Sequence, residues 1–433
     1  MVNSTVSEVR QELDSRPMGS FQKMVVAICC ALNMLDGFDV MVMPFAASSV
    51  ADEWQLTPTF LGIMLTAALF GMAIGSLAIA PLGDRLGRRK LVLVCLALVT
   101  LGMMASSQAT HGEHLVLYRF LTGLGIGGML ATLNTLVSEF SNRSKRGFCI
   151  SVLQSSFPLG AILGGLISVY LMSNFGWRAL FLFGAVASAC MMPLVYWKLP
   201  ESLDFLLSHK SESVLSEIKR LSGKMGLSED NFSGPPENAD KSNGLKAILV
   251  EPFKRSTYSI WTGFFCLMFA FYYVVSWTSK LLVDAGLSTA QGISANIYIM
   301  TGGIIGSIIL GLLTQRFDVT KLTSAYLLLC VVAMAVFGLA DLELVGLLIS
   351  GSFMGFFLIG AMIGLYTIAP DLYPPTHRAT GMGWAIGVGR IGAIISPFFG
   401  GVLLDLGLVS DQVIIIFSLP LIVAAFTVKT IKV

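Results

Sequence analysis

The sequence predicts an all-α membrane protein of twelve transmembrane helices, arranged as two six-helix bundles that repeat one another. Three observations carry that prediction. The 433 residues are 55% hydrophobic and only 12% charged, with a mean hydropathy of +0.78, the composition of a polytopic membrane chain. Twelve apolar stretches recur, each near the ~20 residues needed to cross a bilayer. Two blocks of the first half also reappear in the second at almost the same shift.

In chain order, a polar segment over 1–22 is expected to be a retained cytoplasmic tail, because it lacks a short apolar core followed by a small-residue cleavage site. Spans are expected at 24–48, 59–82, 91–110, 114–138, 148–172 and 177–197, giving a first bundle over 23–197. A polar segment over 198–255 separates the bundles. Its first part, "PESLDFLLSHKSESVLSEIKRL", has helical periodicity, and the region around Pro235 and Pro236 reads as flexible linker. Spans at 257–282, 290–313, 322–340, 343–369, 380–404 and 410–428 complete a second bundle over 256–428, leaving 429–433 as a C-terminal tail.

Of the 28 Lys and Arg residues, 24 fall in the tails and in the loops on the N-terminal side of the membrane. Cytoplasmic loops retain basic residues, so both termini are expected in the cytoplasm of a bacterial-type inner membrane. The net charge of +2 hides this asymmetry and gives no reason to invoke nucleic acid. All seven cysteines lie within apolar spans and read as small packing residues. No nucleophile and base recur together in the spans, and the four histidines lie in loops or at helix ends, so an enzyme is not expected.

The repeat is specific. "GMAIGSLAIAPLGDRLGRRK" (71–90) over "GGIIGSIILGLLTQRFDVTK" (302–321) pairs Gly75 with Gly306, Ser76 with Ser307 and Arg85 with Arg316. A shift of 232 pairs Glu139 with Asp371, Arg146 with Arg378, Gly123 with Gly355, and Gly160 with Gly392. Transporters are often built from such duplications.

Ionisable residues inside spans are costly and point to function. They are Asp36 and Asp39 in "NMLDGFDVMVMP", Arg119, Lys280 and Arg390. A spacing of three places the two aspartates on one helix face near mid-depth, an arrangement suited to taking up and releasing a proton; the alternative is a structural ion pair. Arg390 offers a planar fork for a substrate carboxylate, or a partner for one of the acids. Phe265, Phe269, Tyr273 and Trp277 form a stripe in the seventh span, able to flank a flat ring or else to face lipid and neighbouring helices. Tyr298, Tyr366 and Trp384 are further candidates for ring contacts, and Lys280 for steering an anion into an outer vestibule.

"GDRLGRRK" (83–90) and "RFLTGLGIGG" (119–128) resemble signature elements of the major facilitator superfamily, and the resemblance covers the whole chain. "LDGFD", "PESLDFL" and "RATGMGWAIGVGRIGAIISP" resemble its aromatic acid:proton symporters, the benzoate and 4-hydroxybenzoate group. That resemblance implies import of an aromatic carboxylate with a proton by alternating access, driven by the proton gradient with no cofactor or metal, by a chain acting as a monomer. Other organic anions, such as muconate, nicotinate or a sugar acid, are the alternative. A drug:proton antiporter is disfavoured because "SSFPLGAILGG" only partly matches the Gly-Pro element of that class.

Proton coupling then falls to Asp36, Asp39 and Arg119. Gly83, Asp84, Arg85, Gly87, Arg88 and Arg89 are expected to latch the inner side, together with Glu139, Arg146, Asp371 and Arg378. The glycines allow a tight turn, and the arginines also serve as a topogenic cluster. In the second half Gln315 replaces the expected acid and Asp318 follows it, which puts a charged second latch in doubt.

Overall fold

The computed structural model describes residues 14, 16–202, 205–206, 220–221, 223, 248–251, 253–340 and 342–431. Most of the expected linker, including its periodic segment, lies outside these residues. Among those described, twelve helices are long and apolar enough to span a membrane. In the first half they are α1 Ser20–Trp54, α2 Pro58–Leu82, α3 Arg88–Ser107, α4 Gly112–Phe140, α5 Arg143–Phe175 and α6 Arg178–Lys198. In the second half they are α7 Lys254–Asp284, α8 Thr289–Leu313, α9 Val319–Leu339, α10 Leu344–Asp371, α11 Pro375–Asp405 and α12 Ser410–Lys429.

Local chemistry sets the boundaries. Thr57 accepts a hydrogen bond from the Phe60 N–H with Pro58 opening α2, Asn142 accepts from the Lys145 N–H at the start of α5, and Ser288 and Gln291 cap α8 reciprocally. Gly286, at φ 96°, turns the chain after α7. Near its end α2 loosens through a π turn, Gly75–Ile79, and a tight turn, Ala80–Leu82. The seven cysteines are free thiols.

The two halves repeat in their packing as well as in their letters. An added Cβ at Gly123 of α4 would strike Ala68 of α2; at the corresponding Gly355 of α10 it would strike Ile299 of α8. Gly75 against Leu124 has its counterpart in Gly306 against Phe356, and Gly160 against Met34 in Gly392 against Phe265. Each pair is related by a shift of 231 or 232 residues. These glycines allow backbones to approach within the membrane, where small residues replace the hydrophobic drive to pack.

The halves meet through α1 with α7, α2 with α11, and α5 with α8. The side bearing Ser20 and Lys429 is the terminal side, and the opposite one the far side. Two hydrogen bonds join the halves among the described residues: Thr59 Oγ1 to the Asp405 carboxylate at 2.7 Å and Thr66 Oγ1 to the Ile394 carbonyl at 3.1 Å. Both lie toward the far side. One face of α11 follows the separation. At Gly401, Pro397 and Ile394 it packs on α2, whereas one and two turns below Arg390, at Gly387 and Gly383, nothing stands within 4 Å of an added Cβ. The halves are closed on the far side and a cleft opens between them toward the terminal side.

Candidate functional site

Asp36 and Asp39 lie within α1 at 1% and 0% exposure. They point into the first half rather than across the cleft. An added Cβ on Gly184 of α6 would stand 3.1 Å from Asp39 Oδ1, and Gly37 between the acids packs on the Phe157 backbone of α5. The helix runs unbroken through Gly37, so that glycine provides close approach and not a break. None of the four carboxylate oxygens accepts a hydrogen bond from a protein group.

Arg119 of α4 is fully buried. Its Nη2 donates to the Asp39 backbone carbonyl at 2.6 Å, its Nη1 approaches Met103 Sδ at 3.2 Å, and its guanidinium carbon lies 5.8 Å from the Phe181 ring centre. The guanidinium therefore grips the α1 backbone beside the acid pair without a direct ion pair to either carboxylate.

Arg390 is on the other side of the cleft and forms no ion pair with Asp36 or Asp39. Half-buried in α11, it makes no hydrogen bond or salt bridge among the described residues. It lies where α11's packed face gives way to the open one; its neighbour Gly389 packs on Met268 and Phe264 of α7, and Tyr272 follows Met268 one turn along the same helix face. The Tyr366 ring packs edge-on against Phe264 at 5.2 Å. Arg390, Tyr272 and Tyr366 thus bring one unpaired cation and two phenols together. Such a set has the chemistry to hold a flat anion, a charged fork suiting a carboxylate and aromatic edges suiting an apolar body.

The expected stripe is corrected. Tyr273 is 1% exposed and stacks on Phe417 of α12 at 3.9 Å, Phe269 stacks on the same ring at 4.6 Å, and Phe265 stacks on Phe269. Trp277, also 1% exposed, donates its indole N–H to the Pro397 carbonyl at 3.0 Å. Both Tyr273 and Trp277 hold α7 to α11 and α12, so neither lines the cleft. Tyr298 is 46% exposed and shares its face with exposed Ile305 and Leu312, an apolar surface suited to lipid. Trp384, six residues below Arg390, lies against Trp261 at 6.1 Å with 43% of its surface exposed, on a face of α11 that it shares with exposed Ile391 and Ile395.

Sequence reasoning missed Tyr272 because the i, i+4 rule selected the strongest aromatic face of α7, and that face is the packed one. In the first half it missed Asn134, the repeat counterpart of Tyr366, which accepts a hydrogen bond from Gln154 at 3.5 Å. The 232-residue shift already in hand would have flagged it.

The latch loop has its own geometry. Gly87, at φ 93°, faces the Glu201 carboxylate with no room for a Cβ. Glu201 Oε1 accepts from the backbone N–H groups of Arg89 and Ser202, each at 3.0 Å. Arg88 pairs with Glu139 at 3.2 Å, and Glu139 also accepts from the Ser202 hydroxyl at 2.7 Å. Arg89 lies over the Tyr196 ring at 5.2 Å and donates to the Tyr196 carbonyl. These contacts tie the turn at Gly87, α3, α4 and the end of α6 within one half. Glu201 and Ser202 come from "PES", which sequence reasoning used only for resemblance.

Arg85 is exposed, Gly83 is buried beside Leu91, and Arg146 reaches Asp14 at 3.6 Å. The side chains of Asp84 and Arg378 lie outside those described. Asp371 is exposed at the end of α10. No equivalent latch forms around Gln315 and Arg316, both exposed. Asp318 instead caps α9, accepting from the Thr320 hydroxyl at 2.6 Å and from the Thr320 and Lys321 N–H groups, each at 3.0 Å. The Thr320 bond leads these in holding the Asp318 carboxyl below its ordinary range.

Comparison with known proteins places this geometry in context. The sequence profile of the Major Facilitator Superfamily matches residues 28–397 and 297–431. A gallate transporter of Pseudomonas putida is 30% identical over 426 residues, covering 97% of this chain and 94% of the relative. The 4-hydroxybenzoate transporter PcaK of Pseudomonas aeruginosa is 29% identical, covering 95% and 93%. Among solved structures, a bacterial homolog of the human lysosomal transporter Spinster, inward-facing and unoccupied, superposes with a TM-score of 0.75 at 16% identity, covering 95% of this chain and 97% of that one. It shows the same fold.

Proposed function

The chain belongs to the Major Facilitator Superfamily, a class of membrane transporters and not of enzymes, and we propose that it imports an aromatic carboxylate together with a proton. The observation that carries this reading is Arg390, a half-buried guanidinium at mid-depth of the cleft with no anion to pair with among the described residues, beside the α7 face that bears Tyr272 and the Phe264 ring on which Tyr366 packs. Holding such a cation unpaired is costly in a membrane protein. A carboxylate that binds there removes that cost and gains two charge-assisted hydrogen bonds. A cation-exporting antiporter calls for an acid at this position, and the cleft presents a base.

The acids supply the second half of the cycle. Asp36 and Asp39 are sealed from the cleft, so they act on the proton while Arg390 acts on the anion. Carboxylates without hydrogen-bond donors in this interior are expensive, and a bound proton relieves the expense. Arg119, fixed to the Asp39 carbonyl, ties the protonation state of the pair to the position of α1 against α4.

With both termini cytoplasmic, the cleft faces inward and the far-side contacts form the closed outer gate. Rocking about the α1–α7, α2–α11 and α5–α8 seams then exposes the site alternately to the two sides of a bacterial inner membrane. One chain contains both parts of the site, so a monomer suffices. One anion moving with one proton carries no net charge. The pH difference alone then drives accumulation, at about 1.4 kcal/mol or tenfold per unit.

The test is uptake into proteoliposomes under an imposed pH gradient, using labelled gallate, 4-hydroxybenzoate, benzoate, nicotinate, muconate and gluconate against protein-free vesicles. Aromatic carboxylates are expected to accumulate; uptake of none, or uptake unchanged when the gradient is collapsed, overturns the reading. Preference for muconate or gluconate establishes the alternative of another organic anion.

A further inference from the structure

A second site with anion chemistry lies between the halves on the far side. A cavity of about 320 Å³ is bounded by Pro58 and Leu61 of α2, Trp277 and Lys280 of α7, and Leu404 and Leu408 around the end of α11. That volume is at the small end of pockets that hold organic ligands, roughly 300–1,000 Å³. Its walls are mostly apolar and aromatic, and its charged groups are Lys280 and Asp284. The Lys280 side chain is 14% exposed and pairs with Asp284 one turn along the same helix, itself 49% exposed. An i, i+4 pair with so much of its acid in water is weak and readily exchanged for another anion.

The surroundings make this lysine distinctive. The far side carries Asp52, Glu53, Glu113, Asp284, Glu343, Asp405 and Asp411, a field that repels anions. The other described far-side cation is Arg178, which is held by Glu53 through hydrogen bonds at 2.8 and 3.0 Å and by the Trp177 ring at 4.2 Å. Of these two cations Lys280 is the one that lines the cavity, held by a single half-exposed acid, and it does so at the seam that must part to admit an anion. It lies eight residues beyond Tyr272 on α7, about 12 Å along the helix.

We propose that the cavity around Lys280 is an outer capture subsite for a small carboxylate with an apolar body, separate from the receptor at Arg390. The ammonium exchanges Asp284 for the incoming carboxylate, and Leu61, Leu404 and Leu408 cover the ring. The proposal rests on the reading of this chain as an importer of organic anions, and the following test separates the two.

In the wild-type protein in proteoliposomes, the rate at which an amine-reactive reagent modifies Lys280 is read by mass spectrometry, with Lys254 and Lys321 as references. Benzoate is expected to slow modification at Lys280 at least about fivefold, while benzyl alcohol, its uncharged analogue, leaves it unchanged. Equal effects of the two, or none from either, overturn the subsite whatever transport shows. Protection by benzoate without any uptake leaves the subsite standing and removes the importer reading.

In uptake of labelled 4-hydroxybenzoate, Lys280→Gln is expected to raise the half-saturating concentration on the far side about tenfold, the scale of one hydrogen bond to a charged group. Its maximal rate and the half-saturation from the terminal side stay unchanged, and its salt dependence flattens. Lys280→Arg is expected within twofold of wild type. A Lys280→Gln protein with equal shifts from both sides, or with none, overturns the proposal.

Discussion

Replacing Arg390 separates binding from folding because this side chain has no hydrogen-bond or ion-pair partner among the described residues. In most membrane proteins, removing a buried charge leaves its counter-ion unpaired and costs several kcal/mol of stability. Here no hydrogen bond or ion pair among the described residues is lost, so Arg390→Gln should destabilise the fold by no more than about 1 kcal/mol, and relief of the unpaired charge acts in the opposite direction. The bound anion loses far more. Each hydrogen bond between charged groups contributes about 1.5–3 kcal/mol, and a bidentate carboxylate uses two. Glutamine can return one neutral bond, so the net loss is about 3 kcal/mol, or roughly 150-fold in affinity. Arg390→Lys keeps the charge and loses the fork, and should cost about tenfold. Initial rates of labelled 4-hydroxybenzoate uptake give half-saturation, and thermal unfolding of purified protein gives stability. A large fall in unfolding temperature with half-saturation unchanged would refute the reasoning, because it would mean that Arg390 serves the fold.

Other outcomes follow from the same geometry. Asp39→Asn and Asp36→Asn should abolish accumulation against a gradient while leaving equilibrative exchange of labelled for unlabelled anion; accumulation at wild-type level in both variants assigns the pair to structure. Tyr272→Phe should raise half-saturation a few-fold with little change in stability. Tyr273→Phe should leave half-saturation alone, since its ring stacks on Phe417 and its hydroxyl has no partner; the reverse result would restore the sequence-based stripe. Asp318 tests linkage outside the spans. Its carboxyl is held below the ordinary value, chiefly by the Thr320 hydroxyl, so its stabilising contribution is present above about pH 4 and is lost as pH falls through the lowered value. Asp318→Asn should keep most of the cap, worth about 1 kcal/mol, and remove that part of the acid-side slope in an unfolding titration.

The fold was legible because the bilayer constrains it so tightly. Span lengths followed from hydropathy, and the duplicated letters found in 71–90 and 302–321 reappear as duplicated contacts, Gly75 on Leu124 and Gly306 on Phe356. The identity of the ionisable residues was legible for the same reason, since hydrocarbon makes each of them conspicuous. Their facing was not. Periodicity places Tyr273 and Trp277 on one side of α7, but a helix buried on several faces has no signal for which side meets a cleft and which meets α12. Likewise Asp36 and Asp39 share a face, yet nothing in the string says that this face turns toward α3, α4 and α6 and away from Arg390. Glu201 escaped notice because its partner, the turn at Gly87, is more than 100 residues away and joined to it only by the folded bundle.

The central claim is that anion and proton move inward together, one for one. It is tested most directly by the accumulation ratio of labelled 4-hydroxybenzoate in proteoliposomes, measured against the imposed pH difference with the membrane potential clamped at zero, after subtraction of protein-free vesicles. One decade of accumulation per pH unit, unaltered when a potential is then imposed, is the predicted result. A ratio that stays at one across all pH differences, or that follows the potential, would contradict the account.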